Sequence, residues 1–180
     1  MDALEALMTR RSIRRFTDRE ISHDVLEKIL RAGAQAPSGG NRQPWRFIMV
    51  TDSEKIKQFD QDGKWQSFVS SAPAVLVACA NPHDTWEKYD ENDQCWVLDT
   101  SAAIENMLIA MHALDLGAVW TLSFSKNVVR KVCNIPKHWQ IVSIVPFGYY
   151  DMDDKGNKRM RPRRPLGEVA FLDDAKTPFS

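Results

Sequence analysis

Apolar residues recur along this chain in two rhythms, and each change of rhythm marks an element. Residues 2–9 read as a short helix with Leu4, Leu7 and Met8 on one face. Ser22 is the expected cap of a second helix reaching about residue 36, whose apolar side carries Val25, Leu26, Ile29 and Leu30. Gly33 falls on that side one turn later, where it weakens the helix slightly and permits close packing. Residues 45–51 predict a strand. Phe47 and Met49 alternate with Ile48 and Val50, so both faces are apolar, as in a central strand. Ser53 opens a short helix with Ile56 and Phe59. Residues 63–71, with Lys64, Trp65 and Gln66, fit a loop or the first turn of a helix. Residues 74–80 predict a second buried strand, with Cys79 as inert core. Residues 81–95 set Trp86 and Tyr89 among charges without periodicity. That pattern suits a mobile cover over a site or a plain surface loop equally well.

The longest predicted helix covers residues 99–116. Ala102, Ala103, Ile104, Met107, Leu108, Ile109, Ala110 and Met111 leave little of its circumference polar. Such a helix must be buried nearly all round, at the centre of a monomer or against its twin in a dimer. Gly117 is its expected C-cap, and His112 within it is given no catalytic role. A short strand at 118–122, a helix at 125–133 and a strand at 140–149 follow, the last carrying Ile141, Val142, Ile144, Val145 and Phe147. The tail to Ser180 has little to pack with in its own domain. There is no internal repeat or linker, so residues 1–180 are expected to form one domain, with strands alternating with helices in an α/β or α+β arrangement.

Charge narrows the function. Lys+Arg and Asp+Glu both number 24, a balance that argues against a general nucleic-acid binder. The charges are clustered, however. Arg10, Arg11, Arg14 and Arg15 crowd one end, and Lys155, Lys158, Arg159, Arg161, Arg163 and Arg164 the other. Four arginines in six residues repel one another unless an anion sits among them. A solvated basic face, a nucleic-acid patch and a phosphate clamp are the competing readings. Cys79, Cys95 and Cys133 form no CxxC pair and suit a reducing cytoplasm. The acidic N-terminus is unlike a signal peptide, and the longest apolar run, 72–80, is too short to span a bilayer. No GxGxxG, Walker or GxSxG motif occurs, the four histidines lack zinc-ligand spacing, and no Ser-His-Asp set is visible. The turn at residues 36–47 is the remaining candidate. Gly39 and Gly40 allow close backbone approach, Ser38, Asn41 and Gln43 offer donors and acceptors, and Pro44 biases Gln43 towards an extended conformation. Alone it could be a connecting loop. With two arginine clusters it suits a phosphate-bearing ring cofactor that performs redox chemistry without a protein acid or base.

These segments, in this order, resemble the nitroreductase family of FMN-dependent oxidoreductases. Arg10-Arg11-Ser12-Ile13-Arg14-Arg15-Phe16 resembles its opening FMN motif, Ala36-Pro37-Ser38-Gly39-Gly40-Asn41-Arg42-Gln43-Pro44-Trp45 its "aPSggNxQPW" segment, and Arg161-Pro162-Arg163-Arg164-Pro165-Leu166 its closing "R-x-R-x-P-L" signature. The helix at 99–117 is similar to the family's interface helix, and Trp120-Thr121-Leu122-Ser123-Phe124 stands where the family sets backbone against the flavin. The resemblance implies an α+β fold: a central mixed or antiparallel sheet flanked by helices, with the long helix buried in a homodimer. It further implies FMN as cofactor and NADH or NADPH as reductant. Arg10, Arg161 and Arg163 would hold the phosphate, with Arg164 the lesser partner. Ser12 and the Arg11 backbone would serve the phosphate and ribityl region, and Arg14 the pyrimidine edge. Pro37, Ser38, Gly39 and Asn41 would line the ring from the second protomer. Leu122 or Ser123, beside Thr121, would offer an N–H to N5, and Lys64 or Gln66 would reach the ring. The implied reaction passes hydride through N5 to a nitroaromatic, quinone or similar acceptor in a ping-pong cycle. The alternatives are reductive dehalogenation or another flavin reduction on the same fold, or flavin binding without catalysis. Two departures stand out: the chain is short for the family, and Trp65 replaces the usual Asn or Gly before Gln66.

Overall fold

The computed structural model describes residues 1–60, 67–86, 94–154, 157 and 162–179. Strands β1 (Trp45–Val50), β2 (Ala74–Ala80), β3 (Leu116–Ala118) and β4 (Gln140–Tyr149) form an antiparallel sheet in the order β1-β2-β4-β3. Helices α1 (Ala3–Thr9), α2 (His23–Ala34), α3 (Ser53–Gln58), α4 (Ser67–Ser70), α5 (Cys95–Ala113) and α6 (Lys126–Val132) flank it. A parallel bridge from Ser12 to Ala118 makes the β3 edge mixed. The arrangement is the expected α+β one.

β2 alternates between two cores. Ala74, Leu76 and Ala78 face Ile29 of α2 and Ile104, Met107 and Met111 of α5. Val75, Val77 and Cys79 face Ile56 of α3, Val69 of α4 and Val129 of α6. A register shift between Ala78 and Cys79 lets β4 send Val145 and Phe147 to the first core, and Ile141 and Ile144 to the second. Both faces of β2 and β4 are thus covered, which is why their sequences are apolar throughout.

β1 departs from expectation. It is an edge strand, paired only with β2 among the described residues. Its two apolar faces arise because helices cover both: Phe47 and Met49 pack on the first core and Ile48 on the second. Alternation reports faces and is blind to edges.

α5 starts at Cys95, a turn earlier than residue 99, and ends at Ala113. Asp115, with φ +61°, turns the chain into β3. Gly117 is therefore a strand residue rather than the C-cap; a Cβ there would lie 2.6 Å from Cβ of Ile13. The predicted strand at 118–122 is broken after Ala118, resuming as a bridge from Thr121 to Ile144. Val119 N–H donates to the carbonyl of Pro146 at 3.1 Å, but proline has no N–H to return.

α2 crosses α5 at Gly33. A Cβ on Gly33 would stand 2.8 Å from Cγ and Sδ of Met107, which is fully buried. Helix propensity alone makes Gly33→Ala stabilising by about 0.5–1 kcal/mol. Overpacking costs about 1–3 kcal/mol and wins here because Met107 has nowhere to retreat. Gly33→Ala should lower the melting temperature; a rise would show that Met107 repacks freely.

Candidate functional site

The opening arginine segment lies along the β3 edge. Ile13 is buried, and its N–H donates to the Ala118 carbonyl at 3.0 Å, which fixes the residues on either side. Arg10 Nε meets Glu105 Oε1 of α5 at 3.2 Å. Arg11 Nη2 reaches Met152 Sδ at 2.8 Å. The Arg14 guanidinium stands 5.8 Å from the Phe68 ring centroid, and Phe68 follows Gln66 by two residues. Arg15 pairs with Asp154 at 3.2 Å.

The two ends of the chain meet at Asn157, a buried amide. Its Nδ2 donates to the Arg15 carbonyl at 3.0 Å and to that of Asp151 at 3.1 Å, while its Oδ1 accepts from the Arg15 N–H at 3.3 Å. Thr17 N–H donates to the Tyr149 carbonyl at 2.8 Å beside it. Asn157 is thereby tied to Arg15 of the opening segment. Arg163 is exposed, and Arg161, Lys64 and Gln66 lie outside the described residues. Sequence reasoning passed over Asn157. The one signal was an amide standing among cations.

Residues 121–123 adjoin this segment through the same edge. Ser143 Oγ donates to the Thr121 carbonyl at 3.0 Å, and Ser123 N–H donates to Thr121 Oγ1 at 3.3 Å. Leu122 projects outward, 70% exposed. Next to them the buried Trp120 Nε1 has no acceptor among the described residues.

The turn carrying Pro37, Ser38, Gly39 and Asn41 is built elsewhere. Gly39 N–H donates to Asp99 Oδ1 of α5 at 3.2 Å, and Ser38 Oγ accepts the Gln43 N–H at 3.0 Å. Gly40, Asn41 and Gln43 have φ of +53°, +56° and +51°. Gln43 is thus left-handed in φ, contrary to the extended conformation expected before Pro44. The bonds from its N–H to Ser38 and from its side chain to Asn41 (3.1 Å to Oδ1) outweigh the proline bias.

Gly39 is attached near the start of α5, whereas Ser12 pairs just beyond its end. Between them Arg10 meets Glu105, six residues along α5 from Asp99, a rise of about 9 Å. One chain thus sets Arg10, Arg11, Ser12 and Arg14 along the β3 edge and builds the turn of Pro37, Ser38, Gly39 and Asn41 against Asp99 of α5. α5 buries one face only. Leu98 (64% exposed), half-buried Ala102 and Ile109, and exposed Ala113 form an outward apolar stripe. α1, bound to α5 through Arg10, exposes Leu4, Leu7 and Met8 beside it.

The donor set suits an anionic planar cofactor. Arg11 and Arg14 are in no ion pair with another described residue, and the Ser12 hydroxyl and the orphaned Trp120 N–H lie on the same segments. His112 Nε2 is 2.9 Å from Thr9 Oγ1, and its pKa is held below the ordinary 6.5, first by burial and then by Arg10 and Arg11, against Asp115 and Glu5. Such a histidine binds its proton more readily unfolded. Its contribution to stability is whole above 6.5 and is lost as pH falls towards the folded value. His112→Gln should therefore flatten the fall in melting temperature between about pH 7 and 5 relative to wild type; parallel curves would refute the assignment. Cys79, pushed up to about 12 by burial, is inert as expected.

A family model described as the nitroreductase family matches residues 7–62 and 56–149. An Archaeoglobus fulgidus protein, provisionally described as an NADH dehydrogenase/NAD(P)H nitroreductase, is 38% identical over 167 residues, spanning 87% of this chain and 94% of its own. A Desulfovibrio desulfuricans protein, provisionally described as a nitroreductase and solved in complex with FMN, superposes with a TM-score of 0.77 at 28% identity, covering 96% of each chain. The Vibrio harveyi NADPH:FMN oxidoreductase in complex with NAD+ superposes with a TM-score of 0.80 at 27% identity, covering 96% of this chain and 77% of its own.

Proposed function

Because the chain belongs to the nitroreductase family, we propose that it is an FMN-dependent NAD(P)H oxidoreductase whose acceptor is an electron-poor molecule such as a nitroaromatic or a quinone. The observation that supports this reading is the junction at Asn157, an amide within the span of the closing basic run that is bonded to the backbone of Arg15 in the opening one. Bound FMN would supply the redox chemistry, taking hydride at N5 from NADH or NADPH and passing electrons to the acceptor in alternating half-reactions.

The chain's own residues bind and orient. Arg10 uses Nε for Glu105, which leaves its two terminal amino groups as a fork for phosphate. Arg161 and Arg163 would complete that clamp, with Ser12 and the Arg11 backbone beside it. Arg14 would favour negative charge at the pyrimidine edge. Of the two backbone N–H groups proposed for N5, that of Leu122 would face it, since Ser123 N–H is engaged by Thr121 Oγ1, which holds the bend, and Lys64 or Gln66 would reach the ring.

The turn of Pro37, Ser38, Gly39 and Asn41 rests on Asp99 of α5, whereas Arg10 pairs with Glu105 farther along the same helix. In a homodimer each such turn would serve the neighbouring subunit, and the apolar stripe of α5 with the exposed face of α1 supplies a surface for that pairing. The whole of residues 1–180 would then be one FMN-binding domain. Three free cysteines fit a reducing cytoplasm, and among the described residues no helix is long and apolar enough to cross a membrane.

The test is optical. Purified protein mixed with FMN should retain the flavin's visible band through gel filtration. NADH or NADPH should bleach it without oxygen, and an added quinone should restore it. Protein that stays colourless after FMN addition refutes the proposal.

A further inference from the structure

The glycine turn is clamped between two side chains, neither of which the sequence pattern assigns to it. On one side Asp99 accepts the Gly39 N–H. On the other lies Trp86. A Cβ on Gly40 would fall on Cε3 and Cζ3 of the Trp86 indole, and a Cβ on Gly39 would stand 2.9 Å from Trp86 Cβ. Two glycines are therefore needed here so that the backbone can lie flat on an aromatic plate. Gly40 has a second reason, its φ of +53°.

The plate itself is braced. Asn81 N–H donates to the Pro44 carbonyl at 2.8 Å, and Asn81 Nδ2 donates to Asp84 Oδ2 at 2.9 Å. Asp84 pairs with Arg46, whose Nη1 donates to the Trp45 carbonyl at 2.8 Å. Thr85, next to Trp86, is buried. The segment before Trp86 and the segment after the turn are thus one cross-linked unit. Yet Trp86 remains 48% exposed, so it gives the core only part of what a buried indole would.

We propose that Trp86 is a positioning residue, which shapes the Gly39–Asn41 turn and so sets where that turn meets the flavin of the neighbouring subunit. This role rests on the reading above, in which the turn lines FMN.

The test is a double-mutant cycle on FMN affinity, read by quenching of flavin fluorescence during titration with protein. Trp86→Ala should weaken FMN binding by about tenfold, and Gly40→Ala by at least as much. With Trp86→Ala already present, adding Gly40→Ala should cost several-fold less than it does alone, because the ring it would strike is gone. The visible band of bound flavin should shift in Trp86→Ala and return towards wild type in Trp86→Phe. Effects that add independently, or a Trp86→Ala protein with wild-type affinity and spectrum, overturn the proposal. So does a loss of thermal stability that leaves the bound flavin's spectrum untouched. Should Trp86→Ala not fold, Trp86→Leu keeps apolar bulk without the plate and enters the same cycle. Wild-type protein that binds no FMN sinks the function and this role with it; wild type that binds while every variant matches it sinks this role alone.

Discussion

Replacing Arg10 and Arg163 together by alanine should strip FMN from the protein, weakening its binding by about 10²- to 10⁴-fold. Each charged hydrogen bond to a phosphate contributes about 1.5–3 kcal/mol, and every 1.4 kcal/mol is about tenfold. The loss should not come from unfolding. Arg163 is exposed, and the Arg10–Glu105 pair is a partly solvated ion pair of the kind worth about 0–1 kcal/mol. Equilibrium dialysis against FMN measures the effect, and a thermal melt of the flavin-free protein checks the fold. Unchanged affinity would remove both residues from the phosphate site. A nucleic-acid role would predict the reverse: lost binding to DNA or RNA with FMN retained.

In the proposed homodimer, Ile109→Glu should yield single chains and release the cofactor with it. Ile109 sits in the outward stripe of α5 with Leu98, Ala102 and Ala113. In an isologous interface one substitution places two carboxylates on the contact, each costing several kcal/mol once buried without a partner. On the surface of a lone chain the same carboxylate is solvated, so the fold survives. Sedimentation should show the mass halving while FMN affinity collapses. A monomeric wild type, or a variant that dissociates yet keeps FMN at full affinity, would show that the glycine turn does not serve a second subunit.

The limits of β2 and β4 were legible because both are apolar runs buried on two faces, β2 opening after Pro73 and closing at Asn81, and β4 opening at Gln140. α2 was legible from its clean stripe, although Ser22 sits at the cap position without a side-chain bond, and the helix stops at Ala34. What could not be read was contact between distant segments. β1 looked central because coverage by helices mimics coverage by strands. Gly117 looked like a cap because it followed a helix, but Ile13, a hundred residues earlier, is what requires it. The candidate site divides in the same way. The two arginine runs announced themselves by composition, whereas Asn157 and Trp86 are defined only by what they touch. Asp99 was read as a helix start, and its function is sideways, towards Gly39.

The position of β2 in the sheet has a consequence for synthesis. β1 is already available when β2 emerges and can pair with it at once. The other edge of β2 must wait for β4, and sixty residues separate Ala80 from Gln140. At about 5–20 residues per second the ribosome needs roughly 3–12 s to supply them. During that interval a run of alanines and valines with one open hydrogen-bonding edge is exposed to other nascent chains, so crowded expression at high temperature should favour inclusion bodies nucleated at residues 74–80.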